Sequence, residues 1–146
     1  MPTSLLKHAQ IVNEGQISRK DLYIKNGIIE QIREDISLPA DEVIDLSEEG
    51  SYLLPGAIDD QVHFREPGLI HKGEILTESR AAVAGGITSY MEMPNTKPQS
   101  LTQELLEQKY QRAAEASMAN YSFFMGASND NLEEVLKTDP NMVCGV

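Results

Sequence analysis

The sequence predicts an α/β chain in two parts: strands alone over residues 1–55, then strands and helices in alternation over residues 56–146. Short apolar runs broken by turn residues fill the first part, and Pro55-Gly56 closes that pattern. From Ala57 onward, strand-like and helix-like runs alternate, and polar loops follow the strands. Such alternation, with chemistry-bearing residues at C-terminal strand ends, is the grammar of a parallel α/β fold. Three βα units and the start of a fourth fall short of an eight-fold barrel, which usually takes about 250 residues. An open parallel sheet could close within 146 residues. The polar strand ends do not decide between the two.

Residues 4–12 read as a strand, with His8 a solvent-facing or hydrogen-bonded structural histidine, and Asn13-Glu14-Gly15 as a turn. A second strand covers residues 18–25. Asn26-Gly27 then separates it from Ile28–Ile32. Asn-Gly between two apolar runs is a strong hairpin signal, because both central residues of a type I′ turn need positive φ. Val43–Leu46 and Ser51–Leu54 add two short strands, so the first part reads as a small antiparallel unit.

In the second part, Ala57-Ile58 opens a strand and residues 64–73 form a loop rich in Pro, Gly and charge. Residues 74–84 read as a helix with Ile75, Ser79, Ala82 and Val83 at helical spacing, stopped by Gly85-Gly86. Residues 87–93 form the next strand and Pro94–Pro98 its loop. Ser100 with Gln103 predicts a capping box for a helix reaching Met118. Its buried stripe is Leu101, Leu105, Leu106, Tyr110, Ala113 and Ala114. Residues 120–125 are a strand, 126–130 a loop, 131–137 a short helix, and 141–146 the start of a fourth strand. Tyr90, Phe123, Phe124 and the methionines read as core.

The stretch from Ile58 to Gly68 stands apart. Residues two apart in an extended strand share a face. Asp59, Gln61, His63 and Arg65 then project one way, as an anion, an amide, an imidazole and a guanidinium. A regular strand aims Asp60 at the opposite face; only a bulge would bring it to the same site. Spacing alone supports a metal or anion site at a strand end.

Bulk properties exclude several classes. The formal net charge of −11 makes nucleic acid and anionic membranes poor partners, since both need a basic footprint. The single cysteine, Cys144, allows no disulfide framework within the chain, which fits a reducing compartment. The N-terminus shows no signal-peptide pattern, and no apolar run approaches the roughly 20 residues that span a bilayer. A soluble cytoplasmic protein is the expectation.

Leu54-Pro55-Gly56-Ala57-Ile58-Asp59 followed by Val62-His63-Phe64-Arg65-Glu66-Pro67-Gly68 resembles the metal-binding start of the cyclic amidohydrolases, dihydroorotase above all. Gly73-Glu74, Ala84-Gly85-Gly86-Ile87-Thr88 and Met93-Pro94-Asn95-Thr96 continue the match in order and spacing. The Arg-Glu-Pro-Gly and Met-Pro-Asn-Thr blocks favour dihydroorotase over hydantoinases and allantoinases. The resemblance implies the N-terminal part of a (β/α)₈ metal-dependent hydrolase barrel, residues 56–146, preceded by strands of a small β-sandwich domain, residues 1–55. It implies reversible hydrolysis of L-dihydroorotate to N-carbamoyl-L-aspartate, a step of pyrimidine biosynthesis, with one or two zinc ions and a homo-oligomer at full length.

Residue by residue, the resemblance makes His63 a zinc ligand and Asp59 a supporting residue that orients ligands. Arg65 and Asn95 become the contacts to the substrate carboxylate, for which a guanidinium fork suits two oxygens. Gln61 occupies the position of the family's first metal histidine. An amide oxygen is a weaker zinc ligand than imidazole, so this departure implies weaker metal, one metal instead of two, or no catalysis. Glu66 and His71 read as structural. The bridging carboxylated lysine is expected just beyond Cys144-Gly145-Val146, and the further histidines and the catalytic aspartate on later strands. The 146 residues are therefore expected to be a fragment that carries no catalytic residue and is inactive alone. Two other readings stand beside this one. Gln61 allows a catalytically silent scaffold that binds a partner such as a carbamoyltransferase, and a cousin enzyme would act on hydantoin or allantoin.

Overall fold

The structure, a computed structural model, describes residues 2–48 and 50–146. The chain divides into two compact units, Met1–Pro55 and Gly56–Val146.

The first unit is one sheet. β1 (Thr3–Asn13), β2 (Gln16–Lys25) and β3 (Ile28–Arg33) form an antiparallel meander, and β4 (Glu42–Asp45) and β5 (Tyr52–Leu53) pair with β1. Asn26 and Gly27 both take positive φ, 54° and 76°, as the hairpin sequence predicts. The sheet is mixed, however, because β4 and β5 run parallel to β1. The antiparallel expectation fails there because the segment before β4 is long enough to carry the chain from β3 to the far edge of β1, whereas a two-residue turn can only reverse it, and β5 continues along that edge, beside Gln10 and Ile11 where β4 lies beside Ser4 to Lys7. Leu5, Tyr23 and Ile36 form one small core, and Ala9, Ile11 and Leu22 another.

β1 has a bulge. Its pairing with β2 jumps from Leu6↔Leu22 to Ala9↔Lys20, and His8 takes a φ of 57°. Asp21, opposite the bulge, is buried and accepts the His8 N–H at 2.8 Å and the Ile36 N–H at 2.9 Å. Lys7 Nζ lies 2.5 Å from Asp21 Oδ2, the oxygen that also accepts from Ile36. A bulge frees backbone donors, and the carboxylate takes one of them up. His8 is exposed and bonds Asp45 through Nδ1 at 3.0 Å.

The second unit is a parallel sheet in sequential order, β6 (Ala57–Val62), β7 (Ile87–Glu92) and β8 (Asn120–Phe123). α1 (Ile75–Ala84) connects the first pair and α2 (Gln103–Ala116) the second, and α3 (Leu132–Leu136) follows β8. The fold class is α/β, with the consecutive parallel βα units that open a (β/α)₈ barrel. One core of Val62, Phe64, Ile75, Tyr90, Leu106, Ala113, Phe123 and Met125 lies between sheet and helices.

Several local expectations are corrected. Thr102, not Ser100, caps α2, and its hydroxyl accepts the Leu105 N–H at 3.2 Å. Ser100 is buried in the preceding loop, and the Gln103 side chain bonds Glu134 O and Thr138. Val83 and Ala114 are exposed, while Lys109 takes a buried place on α2. Phe124 is half-buried, and Met118 and Met142 are exposed. The fourth strand is reduced to one parallel bridge, Phe124↔Gly145.

Candidate active site at the strand ends

β6 does not run straight into the site. Its pairing with β7 passes from Asp59↔Tyr90 to Val62↔Glu92, three residues against two. Asp59 accepts the Gln61 N–H at 3.2 Å, an Asx-type bond that closes the irregular turn. The strand ends at Val62, and Arg65 lies in the loop with φ 73°. One straight face for Asp59, Gln61, His63 and Arg65 is therefore broken. The bulge places neighbouring residues Asp60 and Gln61 on the same cavity, of about 380 Å³, with Met93, Phe124, Met125 and Val146.

Beyond the bulge alternation resumes: Val62, Phe64 and Glu66 are buried, and His63 is exposed between the first two. His63 Nδ1 lies 2.9 Å from Asn95 Oδ1, across the ends of β6 and β7. A carbonyl oxygen only accepts, so in the neutral ring Nδ1 carries the proton of this bond and Nε2 the lone pair. The Asn95 Nδ2 donors have no partner among the described residues. The Arg65 guanidinium makes no ion pair among the described residues.

The two loops are held together and to the helices. Lys97 donates its N–H to Pro67 O at 3.1 Å. Gly68, at φ +80°, passes so close that a Cβ there would sit 1.8 Å from Lys97 O. Glu66 accepts the first helical N–H of α1, from Ile75, at 2.8 Å, and the Arg112 Nε of α2 at 2.6 Å. Glu66 is thus structural, and a carboxylate suits the positive end of a helix. His71 is exposed in the loop before α1.

Two charged residues that sequence reasoning missed lie beneath the site. Glu92 and Lys109 are both buried, and Nζ stands 3.1 Å from Glu92 Oε2, close enough for an ion pair but off the line of a directed hydrogen bond. Burial pushes the Glu92 carboxyl up and the Lys109 ammonium down, and each charge opposes the shift of the other. A signal was present. Lys109 follows Leu106 by three and precedes Ala113 by four, and Glu92 follows Tyr90 by two, so both charges occupy core positions.

A zinc ion takes three or four protein donors. Among the described residues, no three His, Cys, Asp or Glu side chains stand together to hold one. His63, with Nε2 presented and its other nitrogen held by Asn95, fits one corner of such a set, since ligating histidines characteristically donate their second N–H. Gln61 and Asp60 offer oxygen atoms at the neighbouring cavity.

A family profile described as "Dihydro-orotase-like" matches residues 50–138, more than half of the chain. The chain belongs to the dihydro-orotase-like family. Its relatives in this family include a dihydroorotase from Listeria welshimeri, 40% identical over 122 residues, which are 81% of this chain and 28% of that protein. An allantoinase from Deinococcus radiodurans is 36% identical over 143 residues, 97% of this chain and 31% of the relative. Among solved structures, an L-hydantoinase (dihydropyrimidinase) from Arthrobacter aurescens superposes over 100% of this chain and 36% of its own, with a TM-score of 0.87 and 26% identity. This dihydro-orotase-like chain thus spans about a third or less of the curated relatives it matches.

Proposed function

We propose that the whole protein is a cytoplasmic, zinc-dependent dihydroorotase that interconverts L-dihydroorotate and N-carbamoyl-L-aspartate. In this reading residues 1–55 are the N-terminal strands of a β-sandwich domain and residues 56–146 the first units of a (β/α)₈ barrel. The observation that carries it is the His63–Asn95 bond, which sets an exposed imidazole beside an amide whose Nδ2 has no partner among the described residues. Arg65, unpaired by any carboxylate of the described residues, supplies the third element.

His63 would hold zinc through Nε2, with Gln61 as a weaker oxygen donor and Asp59 steadying the turn that presents Gln61. When bound, zinc supplies a Lewis acid that lowers the pKa of water and polarises a carbonyl. The chain's own contribution is recognition and orientation. Arg65 engages two oxygens of the substrate carboxylate as a fork, and Asn95 donates its Nδ2–H to the same group. The ring is thereby turned with its reactive amide toward His63. The remaining metal ligands and the acid–base carboxylate come from other parts of the whole protein, which acts as a homo-oligomer.

The test is turnover and metal content of the whole protein. Zinc-loaded enzyme is expected to hydrolyse L-dihydroorotate, and Arg65→Met to raise KM by about 10–100-fold, the worth of a hydrogen-bonded charge contact. Absence of turnover with zinc present would remove the enzymatic reading. Gln61 favours a second reading, a silent scaffold that binds a partner enzyme; metal-free protein co-purifying with a carbamoyltransferase would support it. The allantoinase relative makes a substrate panel the deciding measurement between dihydroorotate and other cyclic amides.

A further inference from the structure

The Glu92–Lys109 pair is a poor device for stability alone. Removing two charges from water is costly, and apolar residues of like volume commonly serve a core as well or better. Glu92 Oε2 has the ammonium at 3.1 Å but no directed donor among the described residues. The directed bonds of the pair go elsewhere. Glu92 Oε1 accepts the N–H of Arg65 at 3.2 Å. That residue has φ 73°, a left-handed conformation that a side chain disfavours. Lys109 Nζ donates to Met93 O at 3.1 Å, two residues before Asn95. Its charge also lies over the Phe123 ring, 4.9 Å from the centroid.

We propose that Glu92 and Lys109 are positioning residues for the anion-binding half of the site, Glu92 holding the backbone of Arg65 and Lys109 the backbone that leads to Asn95. The proposal rests on the reading of Arg65 and Asn95 as carboxylate contacts. It adds the reason a buried charge pair stands under two loops. The end of β6 and the end of β7 are each tied to one member of the pair. Their mutual attraction keeps the two ties, and so the two contacts, in fixed register.

A double-mutant cycle in the whole protein tests this, read as calorimetric affinity for L-dihydroorotate. Glu92→Leu with Lys109→Met removes both charges and both backbone bonds while keeping the core filled. It is expected to weaken binding about tenfold or more. In an Arg65→Lys background the same replacements should cost less than about threefold, because both changes strike one contact. Glu92→Gln with Lys109→Met keeps an acceptor for the Arg65 N–H and should recover part of the affinity. This variant also carries the test if the apolar pair does not fold, with binding then between wild type and Arg65→Lys. Full additivity with Arg65→Lys, or wild-type affinity in a folded variant lacking the pair, overturns the proposal. Should Arg65→Lys itself bind as tightly as wild type, the carboxylate reading falls first and the positioning role with it.

Discussion

Asp21 shows how a single buried charge can be tolerated at a bulge. Burial works to raise its pKa, but bonds from the Lys7 ammonium and the His8 and Ile36 amides outweigh it, and the carboxyl is held below its ordinary value. A carboxyl depressed in the folded state contributes stability above its unfolded pKa of about 3.9, and loses it as pH falls through the lower folded value. Unfolding free energy should therefore fall on acidification below about pH 4, with Asp21 responsible for part of the slope. Asp21→Asn should flatten that limb and cost about 1–3 kcal/mol at neutral pH, since an amide cannot serve the ammonium and two N–H groups alike. Urea unfolding of both proteins between pH 3 and pH 7 measures this, and an unchanged acid slope in the variant would refute it.

At the scale of elements, the site is a joint between two loops. Gly68 is required twice over: it takes φ +80°, and a methyl group there would overlap Lys97 O. Gly68→Ala should cost about 2 kcal/mol or more, combining left-handed strain with the clash. It should also separate Arg65 from Asn95, so that dihydroorotate affinity falls in the whole protein; a folded variant with unchanged affinity would show that the loops do not set the contact. Element type was largely legible. The Asn26-Gly27 hairpin, the Gly85-Gly86 helix stop and the strand–helix alternation rest on local backbone preferences, which sequence displays directly. What was not legible depended on tertiary pairing. Ser100 and Thr102 are both good caps, and the burial of Ser100 decides between them. The bulge at Asp60 arises from pairing with β7, which no window of β6 reveals. Lys109 looks like a break in an apolar stripe until Glu92 is placed opposite it. His63, Arg65 and Asn95 were visible as residue types at strand ends, but the bond from His63 to Asn95 joins residues 32 apart and needed the fold.

For the whole molecule, the balance lies between apolar surface and net charge. β3 is a terminal strand of the first unit's sheet, and Ile28 and Ile29 on it are 70% and 56% exposed. Exposed apolar terminal strands template edge-to-edge pairing. A net charge of −11 at pH 7 opposes that association by repulsion, and the opposition vanishes near the sequence pI of about 4.6. The 146-residue chain is therefore expected to self-associate at neutral pH and more strongly near pH 4.6, as light scattering and sedimentation would record. Ile28→Lys with Ile29→Lys separates the two causes. These replacements reduce the net negative charge, so if repulsion alone governed association, the variant would associate more at pH 7. If edge pairing through β3 governs it, the lysines block the strand and the variant associates less at both pH values. The second outcome is the expected one, because a charge on an edge strand acts at the contact itself while net charge acts through about 8 Å of screening salt.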